Sequence, residues 1–357
     1  MRVYNFSPGP SILPEIVLQQ ISESLFSYNG TGMSTMEMSH RQKDFIEIAD
    51  ETKLLLKELM SIPNNYHVLF MQGGASLQFA MAPLNLYRNG VADYIMTGMF
   101  AERAAQQARK YLKVNEIVSS KDKDHTYIPK ITEDLMTPNA DYLHFTKNNT
   151  IYGTTIKEVP PTKAPVVCDM TSAILSEPCD VSKYGIIYAG AQKNLGIAGV
   201  TIVIIREDLI GNAMPITPEM LDYSTYYNND SLYNTPSTFS VFVTMLMLRW
   251  YKQQGGVNAI EQINKAKAKT LYDSIDNSLL FKPRALKEDR SIMNVTFSTG
   301  NDELDNKFIK EAHENGLSNL GGYRATGGMR ASIYNAMPLD GVNKLVSFMK
   351  DFEANNV

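Results

Sequence analysis

A single lysine, Lys193, stands in the run AGAQKNLGIAG between two β-branched apolar stretches. Small residues crowd it: Ala189, Gly190, Ala191, Gly196, Ala198 and Gly199. An exposed cation needs none of these neighbours, so the pattern implies that a flat group or another length of backbone approaches closely. A free lysine, with a pKa of about 10.4, is neutral in only about one molecule in 2,500 at pH 7. A nucleophilic lysine therefore needs desolvation, or a carbonyl partner that converts the amine to an imine. The local segment taken alone also reads as an ordinary loop lysine.

Two further features bear on that choice. Asp169 closes the apolar run APVVCD, at the expected carboxyl end of a strand. It reads either as a helix N-cap or as an ionised acid that holds a proton on a buried ring nitrogen. In MQGGASLQFA two glycines separate a strand-like run from a helical one, so the N–H groups around Ala75 and Ser76 offer an anion cradle. A tight turn without a ligand fits the same residues. The segment lacks both the G-x-G-x-x-G and the G-K-[ST] patterns, which removes a dinucleotide fingerprint and a Walker loop. A phosphate cradle, a carboxylate for a ring nitrogen and a lysine for an aldehyde are together the three handles of pyridoxal 5′-phosphate. His40 and Arg41 in MEMSHRQKDF, and Arg324 and Arg330 in GGYRATGGMRASIYN, are candidate anion binders for a substrate. Each arginine alone reads as a surface cation and gains a substrate role only beside a cofactor lysine.

Other chemistries find less support. The five histidines lack the i, i+4 spacing of a helical metal site, and no metal is expected. Cys168 and Cys179 form neither a disulfide framework nor a metal pattern and read as inert thiols. Formal net charge is −4 over 357 residues, which gives no overall basic field for nucleic acid or anionic membrane. The N-terminal MRVYNFSPGPSILPEIV has no continuous apolar segment of signal or membrane-span length, so a soluble, cytoplasmic protein is expected.

These residues need a scaffold that gathers them. Helical spacing is expected over 14–29 and 42–60. Strand-like runs at 67–73, in DYIMTG, and at 141–146, 165–169, 185–189 and 201–205 then alternate with helical segments. That alternation predicts βαβ units and a mostly parallel sheet, whose carboxyl edge collects ligands. From about 238 two long helical stretches lead to strands in MNVTFS and MRASIYN and to a terminal amphipathic helix, as in a smaller α+β domain.

The segments YNFSPGPSILP, MEMSHR, YGIIYAGAQKNLGIAGVTIVIIRED, NTPSTF and GGMRASIYNAM resemble the phosphoserine aminotransferases, a class V family of fold-type I pyridoxal-phosphate enzymes. The likeness runs through essentially the whole chain. It implies an α/β fold with a mostly parallel seven-stranded sheet between helices. The corresponding division is a large cofactor-binding domain at 15–255 and a small domain made of 1–14 and 256–357. The resemblance implies that Lys193 carries the cofactor covalently and shuttles a proton, and that Asp169 pairs with the ring nitrogen. Ala75, Ser76 and Gln192 would hold the phosphate, Thr150 the phenolic oxygen side, and Phe100 the ring face. Asn234 and Thr235 would complete the phosphate site of a partner subunit in a homodimer with shared active sites. Arg330 would bind the substrate α-carboxylate. His40, Arg41 and Arg324 would receive the phosphate of phosphoserine or the side-chain carboxylate of glutamate. The implied reaction moves an amino group from L-glutamate to 3-phosphohydroxypyruvate, with the phosphorylated hydroxythreonine of vitamin B6 synthesis as a further substrate.

Three positions depart from the familiar pattern: Phe100 for a tryptophan, Ser76 for an arginine, and Tyr323 for a histidine beside Arg324. None of the three alters Lys193 or Asp169 themselves, so altered affinity and unaltered chemistry are expected. A desulfurase or an alanine–glyoxylate-type aminotransferase is an alternative within the cofactor class. A desulfurase needs a nucleophilic cysteine over the cofactor, and neither cysteine is placed for that. A non-catalytic phosphate-binding α/β protein is the alternative from another class.

Overall fold

In the computed structural model, which describes residues 2–357, the apolar runs condense into two sheets, a short strand pair and nine helices. Strand β1 (Tyr4–Asn5) opens the chain, and helices α1 (Glu15–Ser24) and α2 (Lys43–Leu59) follow. The main sheet comprises β2 (Tyr66–Met71), β3 (Val91–Met96), β4 (Lys113–Ser119), β5 (Leu143–Thr146), β6 (Val166–Asp169), β7 (Ile186–Gly190) and β8 (Thr201–Arg206). Helix α3 (Gly74–Leu86) links β2 to β3, and α4 (Met99–Ala108) links β3 to β4. Helices α5 (Tyr223–Asn228), α6 (Thr238–Gln253) and α7 (Gly256–Asp276) come next. The chain ends with β9 (Lys282–Pro283), β10 (Asn294–Ser298), α8 (Asp302–Glu314), β11 (Leu317–Ser318), β12 (Met329–Ser332) and α9 (Leu339–Ala354).

The seven strands lie in the order β2-β8-β7-β6-β5-β3-β4. Strand β8 runs antiparallel to both its neighbours, and every other adjacent pair is parallel. It follows that β2, β3, β5, β6 and β7 all end on the same edge of the sheet. That edge receives the residues after Met71, Met96, Thr146, Asp169 and Gly190, which are the segments singled out by sequence. Strands β5 to β7 are buried on both faces, as parallel strands covered by helices must be. One face packs on α2 and α6 through Phe45, Leu56, Phe242 and Met245, and the other on α3 and α4 through Phe79, Met81, Ala104 and Ala105. The alternation along β6 puts Cys168 in the first core and Val167 in the second.

A third core gathers Phe6 and Ile12 with residues from Ala268 onward, including Phe281, Phe297, Phe308 and Phe352. It backs the antiparallel sheet β12-β10-β9, while β1 pairs in parallel with β11. The start of the chain is thereby carried to the C-terminal sheet. Sequence reading passes over KVNEIVS, which forms β4. That strand is the sheet edge, and its residues are exposed or half-buried, so it lacks the apolar run that marks the inner strands. No helix among the described residues is long and apolar enough to cross a membrane.

Candidate active site at the carboxyl edge of the main sheet

Lys193 lies in the turn after β7 and is 9% exposed. Its Nζ donates to Thr150 Oγ1 at 2.5 Å. The Phe100 ring centre is 5.7 Å away and that of Tyr334 is 5.9 Å away. Burial lowers the amine pKa to about 8; the Asp169 carboxylate opposes that shift and the Arg330 guanidinium adds to it. The small residues around Lys193 have distinct tasks. A Cβ on Gly9 would sit 3.3 Å from Lys193 Cγ, and one on Gly190 would sit 2.6 Å from Gln192 Oε1. The N-terminal segment therefore closes over the lysine, while the Gln192 side chain folds back across β7. Ser11 ties the two together: its N–H donates to Gln192 O at 3.0 Å and its hydroxyl to Lys193 O at 2.5 Å.

Asp169 ends β6 and is buried. Its Oδ1 accepts from the Thr171 N–H at 2.9 Å. No helix follows; residues 171–175 form a turn, so the helix N-cap alternative falls and the carboxylate caps that turn instead. Burial raises its pKa, against the Thr171 hydrogen bonds and the Lys193 charge. Thr150 belongs to a tight loop in which Asn149 N–H donates to Thr154 O and Gly153 N–H to Asn149 O. Arg330, on β12 of the small sheet, is buried, reaches Thr150 O at 3.4 Å and leaves its Nε without a partner.

At the start of α3, Gly73 and Gly74 have φ of 84° and 64°, and no side chain caps the helix. Its first N–H groups, at Ala75 and Ser76, face outward from this turn without an acceptor among the backbone bonds. Asn234 and Thr235 are exposed, and Thr235 O accepts from Gln72 Nε2 at 3.0 Å, so this loop borders the same turn in its own chain. His40 is buried with Nε2 unpartnered, and burial followed by the neighbouring Arg41 charge lowers its pKa. Arg41 and Arg324 are exposed. The fold thus unites Lys193, Asp169, Thr150, Phe100 and Arg330, with Gln192 in the adjoining turn. It gives His40, Arg41, Arg324, Asn234 and Thr235 no hydrogen bond with Lys193 within one chain.

Several positioning groups carry no sequence signal. Tyr251 donates its hydroxyl to Asn194 O at 2.6 Å and accepts from Asn335 Nδ2 at 2.8 Å; Asn335 N–H in turn donates to Asn194 Oδ1. All three side chains are buried. They fix the residue after Lys193 against both α6 and the C-terminal segment. Tyr251→Phe leaves a buried carbonyl and an amide N–H unpaired and should destabilise the protein by about 1–3 kcal/mol in a urea titration. A change within error would show that the network relaxes freely.

A sheet edge that buries a lysine and a carboxylate beside an uncapped, partly exposed helix start, joined to a small sheet that supplies an arginine, defines a fold-type I transferase. The aminotransferase class-V family matches residues 3–345, and the chain belongs to that family. It is 55% identical to a phosphoserine aminotransferase of Bacillus cereus, over 99% of each chain. The phosphoserine aminotransferase structure from Bacillus circulans subsp. alkalophilus superposes with a TM-score of 0.97 at 41% identity, covering 100% of this chain and 99% of that one. The PLP-bound phosphoserine aminotransferase from Trichomonas vaginalis gives 0.94 at 34% identity, covering 98% and 100%.

Proposed function

We propose that this chain is a pyridoxal-phosphate-dependent phosphoserine aminotransferase. It moves an amino group from L-glutamate to 3-phosphohydroxypyruvate, giving 2-oxoglutarate and O-phospho-L-serine. The observation that carries the reading is the buried Lys193 amine, held by Thr150 within electrostatic reach of Asp169. The residues present suit the cofactor's three handles. Asp169 is a buried carboxylate that lacks a dedicated cation, the α3 start has free N–H groups, and Lys193 is an amine made less basic by burial.

Ala75, Ser76 and Gln192 would hold the phosphate, with Asn234 and Thr235 of the partner subunit. Thr150 would hold the phenolic oxygen side and Phe100 would cover the ring. When bound, the cofactor supplies an electron sink for negative charge developing at the substrate Cα. Asp169, by remaining ionised, would keep the ring nitrogen protonated. Lys193, as a free amine, would take the proton from the substrate Cα and carry it to its next acceptor. Arg330 would hold the α-carboxylate, and its unpartnered Nε is a donor for that purpose. His40, Arg41 and Arg324 would receive the phosphate or the second carboxylate. That neither His40 nor Arg41 is hydrogen-bonded to the lysine cluster of its own chain favours a homodimer with shared sites. Exposed apolar residues such as Phe26, Met36 and Ile216 give that assembly a surface to cover. On a division into 15–255 and 1–14 with 256–357, Lys193 and Asp169 fall in one part and Arg330 in the other.

A desulfurase reading fails on its thiols: Cys168 is buried in the core with its pKa pushed up, and burial pushes Cys179 up to about 11. Titrating the cofactor-loaded protein with amino acids and following the visible absorbance tests the substrate. Phosphoserine should bleach the absorbance at the lowest concentration, with glutamate next. Alanine acting as well as phosphoserine would favour the alanine–glyoxylate type, and a protein that stays colourless with pyridoxal phosphate would favour the non-catalytic alternative. The phosphorylated hydroxythreonine should act like phosphoserine.

A pH dependence follows from Lys193. Below about pH 8 the amine is protonated and inert, and above it the amine is neutral. Covalent capture of pyridoxal phosphate by apoprotein should therefore accelerate with pH, with a midpoint near 8, and then level off. Between about 8 and 10.5 the unfolded chain binds more protons at this position than the folded one, so apoprotein stability should also rise with pH in that window. A stopped-flow midpoint near the ordinary lysine value of about 10.4 would contradict the burial effect.

A further inference from the structure

Arg284 has no role in the reading above, yet it shares a face of the small sheet with Arg330. In β10, Thr296 pairs with Arg330 on β12, and on its other side Thr296 O accepts from the Arg284 N–H at 3.1 Å. Residues directly opposite in an antiparallel ladder project to the same face, so Arg284, Thr296 and Arg330 form one row. Two strand spacings of about 4.8 Å put the outer members of the row roughly 10 Å apart at their Cβ atoms. That face looks toward the large sheet's loops: Thr296 Oγ1 donates to Tyr152 O, and a Cβ on Gly153 would lie 2.6 Å from the same Oγ1. A cavity of about 100 Å³ lies here, lined by both arginines together with Ile151, Thr296, Thr326 and Gly328.

The donor inventory of Arg284 is largely unused. Its Nη2 meets Asp124 Oδ2 at 2.6 Å, with Asp124 O at 3.5 Å, and Nη1 reaches Thr326 O at 3.5 Å. The guanidinium carbon lies 5.8 Å from the Tyr152 ring centre. Its Nε is buried without a partner, as is the Nε of Arg330 across the same cavity. Arg284 therefore has five N–H donors and one hydrogen bond of ordinary length. Asp124, its counter-ion, is 80% exposed and so is free to swing into water, whereas the Arg284 side chain is 22% exposed.

We propose that Arg284 is a further specificity-determining residue, which adds a contact, beside those assigned to His40, Arg41 and Arg324, to the second anionic group of a substrate whose α-carboxylate is held by Arg330. The proposal rests on the Arg330 assignment above. It selects doubly anionic amino acids, with the side-chain anion replacing Asp124 on the guanidinium. A bland alternative is a structural tie in which Arg284 only fastens the loop at Asp124 to the small sheet.

The two differ when each partner of the pair is removed separately. KM and kcat would be measured for phosphoserine, glutamate and alanine with wild type, Arg284→Ala, Arg284→Lys and Asp124→Ala, alongside a thermal melt of each. Loss of a charge-assisted bond predicts that Arg284→Ala raises KM for the two dianionic amino acids by about tenfold or more, with kcat changed less than about twofold and alanine unaffected. Arg284→Lys should recover only part of this, since an ammonium lacks the fork geometry. Asp124→Ala should leave KM unchanged or lower it. Equal rises of KM in Arg284→Ala and Asp124→Ala, or no rise in Arg284→Ala, would overturn the proposal. Glutamate keeps the two readings separable: a wild-type protein that uses glutamate but not phosphoserine would sink the phosphoserine assignment and still report on Arg284.

Discussion

Lys193→Ala should lower transamination by at least about 10⁴-fold, since it removes in one step the covalent anchor and the group that carries the Cα proton. Lys193→Arg should be as inactive, because a guanidinium cannot be deprotonated in a protein. That pair of variants separates nucleophilicity from charge. Neither change should unfold the chain. The lysine amine is desolvated and makes one hydrogen bond, to Thr150, and its backbone is fixed independently by Ser11 and by Tyr251 acting on Asn194. Borohydride reduction gives the clean measurement. Wild-type protein loaded with pyridoxal phosphate should gain the mass of one reduced adduct on the peptide that contains Lys193, and the alanine variant should gain none. An adduct of equal yield in the variant would place the nucleophile elsewhere. Lys267 is the control to inspect, being the other buried amine with a lowered pKa, about 7, but it is engaged by Ile333 O and Tyr334 O behind the small sheet.

What made Lys193 and Asp169 legible is that both follow short apolar runs whose ends a parallel sheet must bring to one edge. Two residues 24 positions apart in the chain become neighbours through one βαβ-like step, in which Asp169 and Tyr188 pair in register. The rest of the site is long-range. Ser11 meets Lys193 across 182 residues and Arg330 meets Thr150 across 180. No local periodicity encodes such contacts; the glycine-rich GGYRATGGMRASIYN marked Arg330 as a candidate anion binder, and only the family likeness gave it the α-carboxylate. Tyr334 and Asn335 read as the end of an ordinary strand, and their polar atoms prove to be bonded to Pro8, Tyr251 and Leu175. Strand β4 was hidden for the opposite reason: a half-exposed edge has no core pattern to reveal it. The basic residues His40, Arg41 and Arg324 were legible as cations, but what they face depends on surfaces that a single chain does not bring to Lys193.

Asp169→Asn should reduce turnover on the order of 10²–10³-fold while making the apoprotein more stable. The first part follows from charge. An amide keeps the hydrogen bond from Thr171 N–H but removes the anion opposite the protonated ring nitrogen, and stripping a buried cation of its partner costs about 3–5 kcal/mol. The second part follows from the sign of the shift. Burial raises the Asp169 pKa in the folded chain. As pH rises through the ordinary carboxylate range the unfolded chain loses its proton first, so at neutral pH this group weakens the fold, and asparagine removes that penalty. The Lys193 charge offsets part of it, which couples the two sites. Without the carboxylate nothing opposes the burial of the amine, so the midpoint for capture of pyridoxal phosphate should move below 8 in Asp169→Asn. Melting temperature, capture midpoint and turnover thus shift in three stated directions in one variant. Loss of a purely structural acid would lower the melting temperature and leave the midpoint near 8. Loss of a catalytic carboxylate that the fold tolerates for the sake of its charge raises the first and lowers the second.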